Sequence, residues 1–201
     1  MGVLTRLPWV YKMLRGLLEP FRTPLNYANK HPHLRRSLLL LASLATLLII
    51  MGCNRLAAAP DFQVTRFDGG SFQLSEMTGQ EAVVINFWYP SCPPCREEMP
   101  QFEEVWREMQ GPESQGKNVR FLGLFVPQGF DTEQDARDFV AELGLTFDFA
   151  TDLQARIAQA YEVKYFPTTY FINKKGRVFQ QEISNLDRER LTAIISQMTE
   201  G

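Results

Sequence analysis

Ala82-Val83-Val84-Ile85-Asn86-Phe87-Trp88-Tyr89-Pro90-Ser91-Cys92-Pro93-Pro94-Cys95-Arg96-Glu97-Glu98-Met99-Pro100 is the stretch on which the rest of the chain is arranged. Its first half is a continuous apolar run rich in β-branched and aromatic residues, which predicts a buried strand. Tyr89-Pro90-Ser91 breaks that run, and two cysteines then stand two residues apart at the start of a predicted helix. Free N–H groups and the positive dipole end of a helix N-terminus favour a thiolate at Cys92, and Arg96 adds a nearby positive charge. Cys92 is therefore expected to be the more acidic sulfur and to face outward. Pro93 and Pro94 suit the first turn, where a missing N–H costs no intrahelical bond, and they stiffen the motif. Pro100 lies deeper and is expected to kink the helix.

Two thiols at this spacing suit reversible disulfide chemistry, and two bland uses compete with it. A zinc site needs four ligands, and beyond Cys95 the sequence contains no further cysteine and no histidine. A purely structural bridge would close a very short loop, which constrains the unfolded chain least.

Asn86-Phe87-Trp88, Cys92-Pro93-Pro94-Cys95-Arg96, Glu98 and Pro100 together resemble the active-site segment of the thioredoxin superfamily, and most of all its membrane-tethered, extracytoplasmic TlpA/ResA-like thiol-disulfide oxidoreductases. The resemblance spans about residues 60 to 199 and continues at Tyr165-Phe166-Pro167-Thr168-Thr169. It implies an α/β, thioredoxin-like fold, with a mixed central sheet flanked by helices and an N-terminal β-hairpin extension. It also implies a redox-active Cys92–Cys95 disulfide and a cis-proline at Pro167 facing it. Phe166 would then offer backbone groups to an extended substrate segment, a β-addition contact. Asn86 stands where many thioredoxins have a buried acid, and an amide cannot move a proton; its expected role is to end the strand hydrogen-bonded. Glu98 matches a family acid near the dithiol and carries two readings, a partly desolvated acid that tunes or relays protons and a solvated first-turn acid stabilised by the helix dipole. Trp88 is expected to pack beneath the site. Ser91 departs from the aromatic residue usual before the first cysteine.

The charge of the chain is divided. Residues 1 to 53 carry +6 and the remainder −8, for a total of −2, and an acidic globular part argues against nucleic acid as a partner. The basic extension, residues 1–36, precedes the uncharged apolar run 37–53. That order places residue 1 in the cytoplasm and the dithiol outside the membrane. Ile50-Met51-Gly52-Cys53 resembles a lipobox, in which Cys53 would be lipidated. The alternative is an uncleaved signal anchor, with a start at Met13 as a further reading, and either outcome tethers the domain to a membrane. His31 and His33 are read as exposed or headgroup-facing.

Residues 54–59 form a tether, and residues 60–201 the expected domain. Phe62, Val64, Phe67, Phe72 and Leu74 around Asp68-Gly69-Gly70 predict a hairpin. The Cys92 helix should reach the polar loop 111–118, and Val119–Val126 should form a second buried strand parallel to the first. Thr132 should cap a helix bearing Ala136, Phe139, Val140 and Leu143 and ended by Gly144. A short strand near Phe147–Phe149, a helix from Leu153 to Tyr161, a hairpin across Lys174-Lys175 and a last helix capped by Asp187 complete the reading.

The activity implied is thiol–disulfide exchange without metal or organic cofactor. The resemblance suggests disulfide-bearing extracytoplasmic proteins as partners, apocytochrome c among them, and a membrane thiol carrier as electron donor. Three competitors use the same motif. A peroxiredoxin would want Thr where Tyr89 stands, a copper-binding assembly chaperone would want a downstream histidine, and an oxidase or isomerase would differ only in energetics.

Overall fold

The computed structural model describes Leu40, residues 56–111 and residues 118–200. The expected extension 1–36, all of the apolar run 37–53 except Leu40, Cys53 and most of the loop 111–118 lie outside the described residues, as do His31 and His33. Among the described residues no helix is long and apolar enough to cross a membrane.

The elements are β1 (Gln63–Thr65), β2 (Ser71–Gln73), α1 (Leu74–Met77), β3 (Ala82–Trp88), α2 (Pro93–Gln110), β4 (Val119–Phe125), α3 (Glu133–Glu142), β5 (Asp148–Thr151), α4 (Arg156–Ala160), β6 (Thr168–Ile172), β7 (Val178–Ile183) and α5 (Arg188–Glu200). Five strands form one mixed sheet in the order β5-β4-β3-β6-β7; β3, β4 and β5 run parallel, while β6 and β7 are antiparallel to their neighbours. Every residue of β3 is buried, as a central strand covered on both faces requires. One face packs Phe102, Val105, Phe139, Leu191 and Ile194 against Val84 and Phe121. The other packs Phe72, Leu74, Ile157 and Tyr161 against Ile85, Phe87 and Leu122.

The expected N-terminal hairpin is present as the two-stranded β1–β2 ladder, with Gly69 at φ 89 in its turn. Residues 56–59 of the expected tether are hydrogen-bonded along residues 176–178: Ala59 N donates to Gly176 O at 3.0 Å and Val178 N to Ala57 O at 2.9 Å. Thr132 caps α3 through a reciprocal box with Asp135, and Gly144 follows the helix at φ 61. α2 continues through Pro100 as one helix. Asp187 caps α5, its carboxylate accepting from Arg190 N at 2.7 Å.

One expected element is corrected. Leu153–Tyr161 is not a single helix, because Gln154 and Ala155 adopt left-handed backbone at φ 63 and φ 53. Buried Asp152 accepts from Ile157 N at 3.0 Å and Ala158 N at 2.8 Å, so its carboxylate satisfies the first free N–H groups of α4 and starts that helix at Arg156. The short strand also lies slightly later than expected, at Asp148–Thr151, and the closing hairpin's second strand at Val178–Ile183.

Candidate active site

Strand β3 delivers the chain to the sheet edge at Trp88, and the turn Tyr89–Ser91 hands it to α2, with Cys92 as the N-cap residue and prolines in the first turn. Cys92 N donates to Tyr89 O at 3.2 Å, which closes the turn. Cys92 and Cys95 are joined in a disulfide, with their Cα atoms 5.3 Å apart. Cys95 N–H donates to Cys92 Sγ at 3.2 Å. When the bridge opens, that N–H and the helix dipole lie where a thiolate on Cys92 would form.

Cys92 is not outward-facing in this bridged form. It is 2% exposed and Cys95 is fully buried, both within the core cluster that contains Trp88, Met99 and Phe139. Arg96 is held by two partners on α3. Its guanidinium pairs with Glu142 at 3.2 Å and lies 4.8 Å above the Phe139 ring, clamping α2 to α3.

The opposite bank comes from the entry to β6. The Phe166–Pro167 bond is cis, as the resemblance implied. In the β3–β6 ladder Phe87 lies opposite Thr168, so Pro167 stands level with the end of β3, just before the cysteine turn. Pro167 is buried and Phe166 half-buried, and the Phe166 ring meets the Tyr89 ring edge-on with centroids 5.2 Å apart.

Glu98 lies one helical turn after Cys95 and is 1% exposed, which overturns its reading as a solvated first-turn acid. Its Oε1 accepts from Asn86 Nδ2 at 2.7 Å and its Oε2 from Leu186 N at 3.0 Å. Burial pushes the carboxyl up to about 8, the two hydrogen bonds opposing the shift without cancelling it. Asn86 also donates to Thr169 Oγ1 at 3.0 Å, so the amide ties β3 to β6 and to the acid; it is hydrogen-bonded as expected, but it does not end the strand, which continues through Trp88. Trp88 is fully buried, with ring centroids 4.9 Å from Phe139, 5.7 Å from Phe149 and 5.9 Å from Phe125. Gly123 makes room for this cluster: a Cβ there would lie 2.5 Å from the Phe149 ring and 3.1 Å from Trp88 Nε1.

Sequence reasoning missed Leu186, Thr169, Gly123 and Asp131. Asp131 Oδ2 accepts from Ser91 Oγ at 2.7 Å and from Ser91 N at 3.3 Å, so the loop after β4 is fastened to the residue before Cys92. Forty residues separate the partners, and no local pattern in the sequence marks them. Among the described residues no group of three or more His, Cys, Asp or Glu side chains comes together as a metal site would need.

A mixed sheet, a disulfide across the first turn of a helix and a cis-proline level with the end of the strand that leads into it define a thioredoxin-like oxidoreductase. The family model described as AhpC/TSA family matches residues 56–181, and the chain belongs to that family. Among its relatives is the thiol-disulfide oxidoreductase ResA of Bacillus thuringiensis (strain Al Hakam), 32% identical over 141 residues that cover 70% of this chain and 76% of the relative. ResA of Geobacillus kaustophilus is also 32% identical, over 133 residues covering 66% and 71%. Of solved structures, a protein described as thiol:disulfide interchange protein DsbE from Chlorobium tepidum superposes with TM-score 0.62 at 26% identity, covering 72% of this chain and 97% of its own. A thioredoxin-like protein from Neisseria meningitidis gives TM-score 0.61 at 27% identity over 71% and 90%. The chain is a thiol–disulfide oxidoreductase of the ResA/DsbE type.

Proposed function

We propose that this protein reduces disulfides in extracytoplasmic proteins while tethered to a membrane, with the cysteines of apocytochrome c as its foremost substrate class. The observation that carries the reading is the placement of the Cys92–Cys95 pair at a helix N-terminus, with a carboxylic acid of raised pKa buried one turn below it. The basic extension, the apolar run and the acidic domain that follows support the tether and its orientation.

In the reducing direction the Cys92 thiolate attacks one sulfur of a partner's disulfide. A Cys92–partner bond forms, the partner's own bond breaks, and its second sulfur leaves as a thiolate. Cys95 then loses its proton and attacks Cys92, which releases the partner's first sulfur and leaves the Cys92–Cys95 bridge. Two electrons have passed from the dithiol to the partner, and a membrane thiol carrier returns them. Glu98 serves as acceptor for the Cys95 proton: one turn away, buried, and titrating near 8, it can take a proton from a thiol without holding it permanently.

The AhpC/TSA family match keeps a peroxidase in view as a second reading. Tyr89 stands where a peroxiredoxin would place Thr, which favours disulfide exchange.

The test is trapping. Cys95→Ser, expressed in cells, accumulates mixed disulfides through Cys92 with extracytoplasmic partners, identified by mass spectrometry after non-reducing separation. The reading fails if only Cys92→Ser traps partners, if the partners are cytosolic, or if the purified native protein turns over peroxide without an added protein substrate.

A further inference from the structure

The turn between β6 and β7 gathers three cations, Lys174, Lys175 and Arg177, in a part of the chain whose residues from 54 onward sum to −8. Lys175 and Arg177 are exposed and Lys174 is half-buried. Most arginines elsewhere in the domain are bridged to carboxylates, Arg66, Arg120 and Arg188 to two each. Among the described residues neither Lys174 nor Arg177 is bridged in this way.

The chain that leads to the expected membrane tether runs against this turn. Ala59 N donates to Gly176 O at 3.0 Å, Val178 N to Ala57 O at 2.9 Å and Arg177 Nη1 to Leu56 O at 3.3 Å, with Ala58 opposite Arg177. Residue 53 closes the apolar run, and the three residues that join it to Leu56 span at most about 11 Å. Cys53 is the membrane end of that span under either tether, as the last residue of an anchor or as a lipidated N-terminus. The Arg177 guanidinium, held at Leu56 O, therefore stays within about 17 Å of it. Leu56 adds an apolar side chain that is 41% exposed beside the cations.

The dithiol belongs to the other end of the sheet. Thr168, at the start of β6, lies opposite Phe87, and Ile172, at its end, lies opposite Val83. The β6–β7 turn is thus level with the start of β3, whereas Cys92 follows the end of that strand. Seven residues of strand put about 20 Å between them. Charge divides along the same axis. Exposed Glu97 and the Ser91-bound Asp131 stand at the cysteine turn, where an anionic surface would be repelled. Near the β6–β7 turn, Glu81 is already paired with Arg120 at 3.0 Å. Exposed Glu76 on α1 and Glu200 on α5 offset part of the positive charge, which keeps its attraction for an anionic surface modest and salt-sensitive.

We propose that Lys174, Lys175 and Arg177, with Leu56 beside them, form a docking face for anionic phospholipid headgroups. It holds the β6–β7 end of the domain on the bilayer and directs the dithiol end about 20 Å away, toward partners in the aqueous space. The inference rests on the tethered reading above and supplies the orientation that reading leaves open. Each cation brought near an anionic surface multiplies the docked population by about fivefold.

The test uses the full-length protein in lipid nanodiscs, made either of phosphatidylcholine or of an equal mixture of phosphatidylcholine and phosphatidylglycerol. Lysine acetylation by a water-soluble reagent is followed residue by residue by mass spectrometry. Exposed Lys164, next to the segment that holds the cis-proline at the dithiol end, is the internal reference. Lys174 and Lys175 are expected to react about fivefold more slowly in the anionic discs, Lys164 at equal rates in both, and molar salt to abolish the difference. Lys174→Glu reduces the protection of Lys175 to less than about twofold, and Lys174→Arg keeps it. Equal rates in the two lipids, or protection of Lys164 in place of the turn, overturns the docking face. A protein that stays with the discs and reduces a disulfide peptide without lipid-dependent protection refutes the face and leaves the functional reading standing. A protein that does not remain with the discs refutes the tether and the face together.

Discussion

The floor beneath the Cys92–Cys95 bridge and the rim around it are held by opposite means. The floor is Trp88, Asn86 and Glu98, each 1% exposed or less, locked by aromatic packing and by hydrogen bonds that link β3, α2, β6 and the segment before α5. The rim is Ser91 with Asp131 and Tyr89 with Phe166, at or near the surface and joined by one carboxylate–hydroxyl contact and one ring contact. In a low-dielectric floor a lost contact is felt in full; at a solvated rim water replaces much of it. The dithiol thus rests on the part of the fold least able to change, while the rim can vary at little cost to folding.

The largest effect that would sharpen this contrast comes from the floor's smallest residue. Gly123→Ala puts a methyl 2.5 Å from the Phe149 ring and 3.1 Å from Trp88 Nε1, two rings packed against each other in the core. Overpacking of this kind costs about 2–3 kcal/mol, or roughly 10 °C in Tm for a domain of this size, measured by thermal unfolding. An unchanged Tm would mean that the floor is softer than its packing implies.

Glu98→Gln comes next, and its signature is a pH dependence. The carboxyl titrates near 4.5 when unfolded and about 8 when folded, so folding takes up a proton between those values. The stability this supplies is complete below pH 4.5 and is lost as pH rises through 8. The native protein should therefore lose at most about 1.4 kcal/mol per pH unit across that window, and the glutamine variant should be flat there, as read by urea unfolding from pH 5 to 9. The same substitution should slow release of the trapped partner by about 10- to 100-fold and remove the rise in that rate near pH 8. A native profile without slope would break the link between burial and proton uptake.

How much of this the sequence disclosed follows the same division. Strand β3, the cysteine turn and α2 were readable because their signals are local: an apolar run, a proline break and a cysteine spacing. Trp88 as packing and Asn86 as a hydrogen-bonded strand residue were readable for the same reason. The state of Glu98 was not, since exposed and buried acids look alike until α2 is laid on the sheet and Leu186 arrives from 88 residues away. The Leu153–Tyr161 break was hidden because Ile157, Ala158 and Tyr161 keep helical spacing whether the helix begins at 153 or 156. The deciding feature, Asp152 reaching Ile157 N and Ala158 N, depends on a backbone path that periodicity does not specify. Asp131 escaped for the reason Leu186 did.

The smallest effect belongs to Ser91→Ala. It deletes an exposed hydroxyl whose bond to Asp131 measures 2.7 Å, and leaves the weaker contact from Ser91 N at 3.3 Å. Water can take the place of a surface hydrogen bond, so the stability change should stay below about 1 kcal/mol and Tm should move by only a few degrees. Amide exchange should nonetheless quicken at Asp131 and its neighbours in the 128–131 turn while β3 and β4 keep their protection, because local opening tracks the contacts that hold a segment rather than the global stability. Equal quickening along β3 would show that rim and floor unfold as one unit, and the contrast between them would fail.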